Sequence, residues 1–235
     1  MKLNKKVFFV TSTGTNLGKT FISQNLLKSF KKNDIAISAY KPIISGVDKN
    51  NIFKSDSALL LKETTSEITI DDIKRISPWR FKKPLAPTLA ARKERKVLDY
   101  SSVKNWLKKK IQQNIDDFIL VEGAGGLMVP IGEKKTFIDL VVDIKMPILL
   151  VVGNYLGSIS HSLSIIKNIE ILDLDIINII LNDNVKNNLD INETELLLKE
   201  NIKSNYKIRK IYKKNKPKNI KSFTYIYEDI IKYFK

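Results

Sequence analysis

The sequence predicts an α/β fold of the P-loop NTPase type, in which a mostly parallel β-sheet is flanked by helices on both faces. Short apolar, β-branched runs alternate with longer segments of helical period, as in parallel sheets joined by crossover helices. The first run leads into a glycine-containing loop and a helix, which is the local order of a phosphate-binding loop. Because 235 residues can bury a large core, we expect residues 1–235 to form a single P-loop α/β domain.

Five apolar runs are the candidate strands, and amphipathic segments between and after them are the candidate helices. The strands are expected at 7–10, 35–40, 118–121, 148–152 and 176–181. The helices are expected at 19–31, 101–115, 158–172, 191–202 and 225–234. In the first helix, apolar residues recur at helical spacing and form one face. The basic segment 203–221 contains Pro217, so we expect an exposed connection before the last helix.

The composition excludes several classes of protein. Apolar residues make up 43% of the chain, which is too many for a disordered chain. The chain has no cysteine and one histidine, so disulfides, thiol catalysis and an intrinsic zinc site are not expected. The apolar stretch at 7–10 is too short for a signal peptide, and no stretch approaches the length of a membrane helix. We therefore expect a cytoplasmic protein with no membrane partner.

The formal net charge of +16 allows a nucleic-acid-binding module as one alternative. The excess is mostly lysine spread along the chain, and no compact basic motif of a known nucleic-acid-binding class occurs. We therefore expect no nucleic-acid partner. A positive field also favours small anions, such as a nucleotide and a carboxylate substrate.

Residues 7–20 have the order of a phosphate-binding loop, with a strand, a loop over 13–18, and Lys19 and Thr20 opening a helix. Backbone N–H groups and the helix N-terminus can surround a polyphosphate, Lys19 can reach the β and γ oxygens, and the Thr20 hydroxyl can bind Mg²⁺. Thr13 occupies the position of the first glycine of the strict pattern. Taken alone, the segment is also compatible with an ordinary polar turn whose lysine faces water.

Two further motifs place charged residues at strand ends. Glu122 ends an apolar run and precedes a glycine-rich turn, so its carboxylate is expected at the sheet edge where ligands of open α/β sheets bind. Lys41 follows the second strand, and Pro42 fixes the turn after it. A lysine there can neutralise charge on a transferred phosphoryl group or a carbamate. Considered one at a time, the Glu122 motif is also compatible with an ordinary loop residue, and the Lys41 motif with an ordinary surface lysine.

Taken together, the motifs resemble the dethiobiotin synthetase family. That family combines T-x-T-x-x-G-K-T, YKP-x-x-SG, SD, VEGAGG, LG and ND in this order. The matching positions are 13–20, 40–46, Ser55 with Asp56, 121–126, Leu156 with Gly157, and Asn182 with Asp183. The resemblance spans about residues 7–185, and the combination is far more specific than any one motif.

The resemblance implies a homodimer that converts 7,8-diaminononanoate and CO₂ to dethiobiotin, using ATP and Mg²⁺, in biotin biosynthesis. One amine takes up CO₂ as a carbamate, ATP phosphorylates the carbamate, and the second amine closes the ring. Positioning and charge neutralisation would supply most of the catalysis.

The resemblance also implies a set of site residues. The catalytic residues are Lys19, Lys41 and Thr15. The Mg²⁺ ligands are Thr20, Asp56 and Glu122, which offer the hard oxygens that Mg²⁺ prefers. The nucleotide contacts are Asn16, Leu17, Gly18, Lys19, Thr20, Phe21, Glu122, Gly123, Ala124, Gly125, Asn182 and Asp183, with Asn182 reading the base. The substrate contacts are Ser45, Leu156, Gly157 and Ser160, and the turn 156–160 would receive the carboxylate tail of the facing subunit's substrate.

Several positions depart from the family pattern. Asn16 stands where many relatives have a glutamate, Thr88 where a histidine is common, and Ser160 where an asparagine is common. Segment 207–218 lacks the Gly-x-Ile-Pro-like stretch that packs against the base, so strict selection of ATP is not implied.

Two rival functions share the predicted fold. A partitioning or positioning ATPase of the ParA or MinD type would have an extra lysine in the loop, where this chain has Gly14. A cobyrinate-type amidotransferase would need a nucleophilic cysteine, and the chain has none.

Overall fold

A six-stranded sheet forms the centre of the computed structural model, which describes residues 5–183, 189–213 and 215–235. The elements follow one another as β1 (Lys6–Ser12), α1 (Lys19–Lys32), β2 (Ile37–Tyr40), β3 (Ile43–Ser45), α2 (Asp56–Thr64), α3 (Ile70–Ile76), β4 (Trp79–Phe81), α4 (Pro87–Lys93), α5 (Tyr100–Gln113), β5 (Phe118–Glu122), β6 (Pro130–Gly132), β7 (Lys135–Thr136), α6 (Phe137–Ile144), β8 (Ile148–Gly153), α7 (Ser158–Ile171), β9 (Ile176–Asn182), α8 (Ile191–Asn201), β10 (Ile208–Ile211) and α9 (Lys216–Tyr233). The sheet order is β10-β9-β8-β1-β5-β2, and its described pairings are all parallel.

Apolar cores cover both faces of this sheet. Strand β1 shows why, because alternate side chains of a strand point to opposite faces. Phe8 and Val10 pack with α1 and α9 in one core, whereas Val7 and Phe9 pack with α5, α6, α7 and α8 in the other. Each fully buried side chain of this size contributes about 1.5–3 kcal/mol. Helices on both faces of a parallel sheet confirm the predicted fold class.

Helix α1 presents its N-terminus to the end of β1. Its N-cap is Gly18, in the left-handed region at φ 90°, and no side chain caps the helix. The first N–H groups of a helix lack partners within the helix. In α1 they are therefore free to bind an anion.

The five predicted strands and five predicted helices are all present, most with ends shifted by one or two residues. The assignment of 203–221 as an exposed connection is wrong, because this segment contains β10 and the beginning of α9. Pro217 lies in the first turn of α9, where a proline starts a helix rather than breaking it. Among the basic residues that suggested a loop, Arg209 and Lys210 lie in the edge strand β10, where charge is tolerated, and Lys216, Lys218 and Lys221 lie in the first turns of α9.

Several short elements were not predicted. These are β3, β4, β6, β7, α2, α3, α4 and α6, and each has at most nine residues. No helix among the described residues has the length and apolarity needed to cross a membrane.

Candidate active site

The predicted motifs meet at the carboxyl-terminal edge of the sheet. Strands β1 and β5 are neighbours, so the loop after Ser12 and the turn after Glu122 lie side by side. Between them and the loops after β2 opens a cleft of about 370 Å³. Most of the residues that line it were predicted from the sequence: Thr15, Asn16, Gly18, Lys19, Thr20, Phe21, Lys41, Ser45, Asp56, Ala124 and Gly125.

The phosphate-binding loop is held by a side chain from β9. Asn182 is buried, and its Nδ2 donates a hydrogen bond to the Leu17 carbonyl at 2.8 Å. A Cβ on Gly18 would lie 2.3 Å from that nitrogen, and Gly18 also has a positive φ, so only glycine fits. Asn16 has a φ of 59°, a conformation that asparagine adopts more readily than most residues. The asparagine that replaces the family's glutamate therefore suits the backbone here.

Lys19 points into the loop. Its Nζ donates to Ser12 Oγ at 2.9 Å and to the Gly14 carbonyl at 3.4 Å. Burial lowers the pKa of Lys19 to about 8, with a smaller contribution from the nearby Lys41 ammonium. The charge is thus poorly compensated by the protein, as expected of a group that binds a polyanion.

Ser12 is a site residue that the sequence reasoning missed. It is fully buried, and its Oγ lies 2.5 Å from the Gly14 carbonyl oxygen and 3.3 Å from that of Gly125. Its hydroxyl therefore joins both loops and accepts the hydrogen bond of Lys19. The signal available in the sequence was a small hydroxyl residue at the junction of the first strand and its loop.

Lys41 forms the other cationic centre of the site. It is 2% exposed, and its Nζ lies 2.5 Å from Glu122 Oε1, 2.9 Å from Asp56 Oδ2 and 3.3 Å from the Gly123 carbonyl. Burial alone would lower the pKa of Lys41, but the attraction of Glu122 and Asp56 outweighs it, and the pKa is raised. Burial would raise the pKa of Asp56, but the attraction of the Lys41 ammonium outweighs burial, and the pKa of Asp56 is lowered. Lys41 is therefore a fixed cation.

The predicted Mg²⁺ ligands come together around the same point. Thr20 Oγ1 donates to Glu122 Oε1 at 2.8 Å, and Asp56 joins them through Lys41. Glu122 Oε2 is buried without a hydrogen-bond partner among the described residues. No group of three or more histidine, cysteine or acidic residues able to hold a metal occurs in the described part of the chain. Two carboxylates and a hydroxyl fit Mg²⁺, which also keeps water and binds phosphate oxygens.

Other predicted residues lie away from this cleft or behind it. The turn after β8 carries Leu156, which is 90% exposed, and Gly157, the N-cap of α7 at φ 91°. Ser160 is exposed in the first turn of that helix. These three therefore face solvent and do not line the cleft. Asp183, at the end of β9, accepts a hydrogen bond from Asn154 at 2.9 Å.

Comparison with known proteins places the chain in context. The family model described as "AAA domain" matches residues 6–220. An ATP-dependent dethiobiotin synthetase from Phenylobacterium zucineum is 38% identical over 160 residues, which cover 68% of this chain and 68% of the relative. The enzyme of the same name from Caulobacter vibrioides is 35% identical over 184 residues, covering 77% and 81%.

Solved structures show the same fold at low identity. The septum site-determining protein MinD from Pyrococcus horikoshii, complexed with Mg-ADP, has a TM-score of 0.58 at 12% identity, with 97% of each chain covered. A plasmid partition protein from Borrelia burgdorferi has a TM-score of 0.58 at 16% identity, covering 98% of this chain and 99% of that one. At such identities the likeness concerns the fold alone.

Proposed function

The chain belongs to the ATP-dependent dethiobiotin synthetases, and we propose that its cleft closes the cyclic urea of dethiobiotin from 7,8-diaminononanoate, CO₂ and Mg-ATP. One observation carries this assignment of the site. Lys41, Asp56, Glu122 and Thr20 form a cluster with contacts of 2.5–2.9 Å. Three of them line the same cleft as Lys19, and Glu122 is buried behind them.

The proposed reaction divides into three balanced steps. One amine attacks CO₂, forms a C–N bond and loses a proton to give a carbamate. A carbamate oxygen then attacks the γ-phosphorus, and the bond to the β–γ bridging oxygen breaks to release ADP. The second amine attacks the carbonyl carbon of this mixed anhydride, phosphate departs, and a proton is lost as the ring closes. Phosphorylation is required because the carbamate oxygen is otherwise a poor leaving group.

Two lysines serve the transferred phosphoryl group. Lys19, whose ammonium donates to two uncharged oxygens of the described residues, neutralises the β and γ oxygens. Lys41, fixed by Glu122 and Asp56, stabilises the charge that develops between carbamate and phosphate. Preorganised cations of this kind lower a barrier because they need not reorient during the reaction.

Thr20, Asp56 and Glu122 would hold Mg²⁺, which when bound neutralises phosphate charge. The observation that supports this is the buried Glu122 Oε2, which has no hydrogen-bond partner in the part of the chain that the structure describes. Thr15 and Ala124, which line the cleft, would contribute backbone contacts to the nucleotide.

The substrate is proposed to lie across a subunit interface. Ser45 lines the cleft and would contact the diamine end. The exposed turn of Leu156, Gly157 and Ser160 begins α7, a helix of 14 residues, and its positive end suits a carboxylate. Because this turn lies outside its own subunit's cleft, it would serve a partner's substrate in a homodimer. Cytoplasmic location and the lack of a nucleic-acid partner stay predictions.

Product stoichiometry tests the function. Purified protein given 7,8-diaminononanoate, bicarbonate and Mg-ATP should release dethiobiotin and phosphate in equal amounts, and omission of the diamine should stop both. Phosphate release that needs no diamine, or that DNA stimulates, would instead favour a partitioning ATPase.

A further inference from the structure

The residue expected to read the nucleobase is buried behind the phosphate-binding loop, which it supports. Asn182 is 1% exposed, and its Nδ2 is bound to the Leu17 carbonyl. Its Oδ1 is buried. The edge of a base cannot meet this amide unless Asn182 leaves the loop that it supports. The contact of Asn182 with Leu17 therefore stabilises the conformation of the phosphate-binding loop.

The backbone at the end of β10 is also already paired. The Tyr212 N–H donates to Asn219 Oδ1 at 2.7 Å, and the Asn219 Nδ2 donates to the Tyr212 carbonyl at 2.7 Å. The Ile211 carbonyl accepts from the Asp183 N–H at 2.9 Å. These groups lie in the segment 207–218, where the family's base-packing stretch is missing; residue 214 of it lies outside the described residues. The Tyr212 N–H cannot donate to a base edge without giving up its bond to Asn219, and each of the two carbonyls already accepts one hydrogen bond.

The cleft does offer one exposed aromatic ring, that of Phe21, for contact with a base. Phe21 follows Thr20 in the first turn of α1, lines the cleft and is 38% exposed. Its ring packs edge-to-face on Phe223 of α9, with centroids 5.9 Å apart and an interplanar angle of 66°. Phe223 is 5% exposed and so supports the Phe21 ring from the protein side. An exposed phenyl ring held in this way is a stacking platform.

We propose that Phe21 binds the nucleobase of the phosphoryl donor by stacking, and that the enzyme therefore accepts nucleoside triphosphates with little regard to the base. Every base has a π-face, so stacking discriminates weakly, whereas hydrogen bonds to a base edge discriminate strongly. The inference rests on the proposed function, because it takes the cleft to be the donor site. It makes Phe21 the main contact to the base.

Equilibrium binding with Mg²⁺ and without diamine tests the proposal. The probes are ATP, GTP, CTP, UTP and inorganic tripolyphosphate, which has no base. For the unmodified protein we expect the four nucleotide dissociation constants to agree within about tenfold, since stacking energies differ modestly between bases. Preference for ATP over GTP by a hundredfold or more would overturn the proposal.

Variants of Phe21 separate stacking from structural support. Phe21→Leu keeps an apolar side chain against Phe223 but removes the ring. It should weaken the binding of all four nucleotides by about tenfold and leave the binding of tripolyphosphate unchanged. Phe21→Trp should restore nucleotide binding. The role of the ring would be refuted if Phe21→Leu weakened tripolyphosphate binding as much as nucleotide binding, or if it left nucleotide binding unchanged.

Ring-closure assays with the same four donors distinguish this inference from the proposed function. If all four bind but none supports dethiobiotin formation, the proposed function fails and base stacking stands. If dethiobiotin forms with ATP alone, the function stands and tolerance of the base fails.

Discussion

Replacing Lys19 by methionine should stabilise the protein while abolishing its activity. Methionine keeps an apolar stem in the buried site and removes a charge that, in the described part of the chain, donates to Ser12 Oγ and the Gly14 carbonyl. The pKa of Lys19 falls from 10.5 to about 8 in the folded protein. This difference corresponds to about 3 kcal/mol of destabilisation by the buried ammonium. We therefore expect Lys19→Met to raise the free energy of unfolding by up to about 3 kcal/mol at pH 7.

The effect has a defined dependence on pH. Below about pH 8, Lys19 is charged in both the folded and unfolded protein, so the full penalty is present. Between about 8 and 10.5, the unfolded chain binds more protons, and the stability of the unmodified protein rises with pH. The difference in free energy of unfolding between Lys19→Met and the unmodified protein should therefore decrease across this pH range.

Urea unfolding without nucleotide, at several pH values between 7 and about 10, measures both effects. Lys41→Met is the matched control, because it removes a lysine that is paired with buried Glu122 and with Asp56. It should destabilise the protein by about 3–5 kcal/mol. If Lys19→Met is less stable than the unmodified protein at pH 7, or if its advantage does not shrink as the pH rises, the reasoning about the buried charge is refuted.

Three further predictions concern other contacts. Asp229 accepts hydrogen bonds from Asn178, Lys207 and Arg209. Asp229→Ala should therefore lower the free energy of unfolding, measured in urea, by about 2 kcal/mol, and an unchanged midpoint would contradict this. The pKa of Asp229 is lowered because these partners outweigh burial, so its contribution should be lost as the pH falls through the carboxyl's folded pKa. Gly18→Ala should abolish nucleotide binding, because the new Cβ would lie 2.3 Å from Asn182 Nδ2; normal binding in calorimetry would show that the loop can move. Thr20→Val should lower Mg²⁺-dependent turnover at least about tenfold but leave metal-free nucleotide binding intact, since it removes one proposed Mg²⁺ ligand; equal loss in both assays would indicate a disrupted loop.

The sequence predicted the central strands and the phosphate-binding loop better than it predicted the C-terminal segment with β10 and the beginning of α9. The central strands are continuous apolar runs because both faces are buried, and this pattern survives in the sequence. By contrast, β10 has only four residues with two cations in the middle, and α9 begins with lysines and a proline. Charge there reflects an exposed edge, which composition alone does not distinguish from a loop.

The candidate site was predicted by motif, but its contacts were not. The Nζ of Lys41 and Oε1 of Glu122 lie 2.5 Å apart although the residues are 81 positions apart in the chain. Only the order of strands in the sheet brings them together. The same reason explains Ser12 and Asn182: their side chains act through loops that are distant in sequence. Local patterns indicate which residues end strands, and the fold decides which of these ends meet.

The most direct test of the central claim is the single-turnover rate of phosphoryl transfer to the carbamate in Lys41→Ala, measured with bound Mg-ATP, diamine and CO₂. We expect a loss of about a hundredfold or more, the size expected when one charge contact to a transition state is removed, with nucleotide binding retained. A variant that binds ATP and transfers phosphate at the unmodified rate would show that Lys41 does not act on the reacting group.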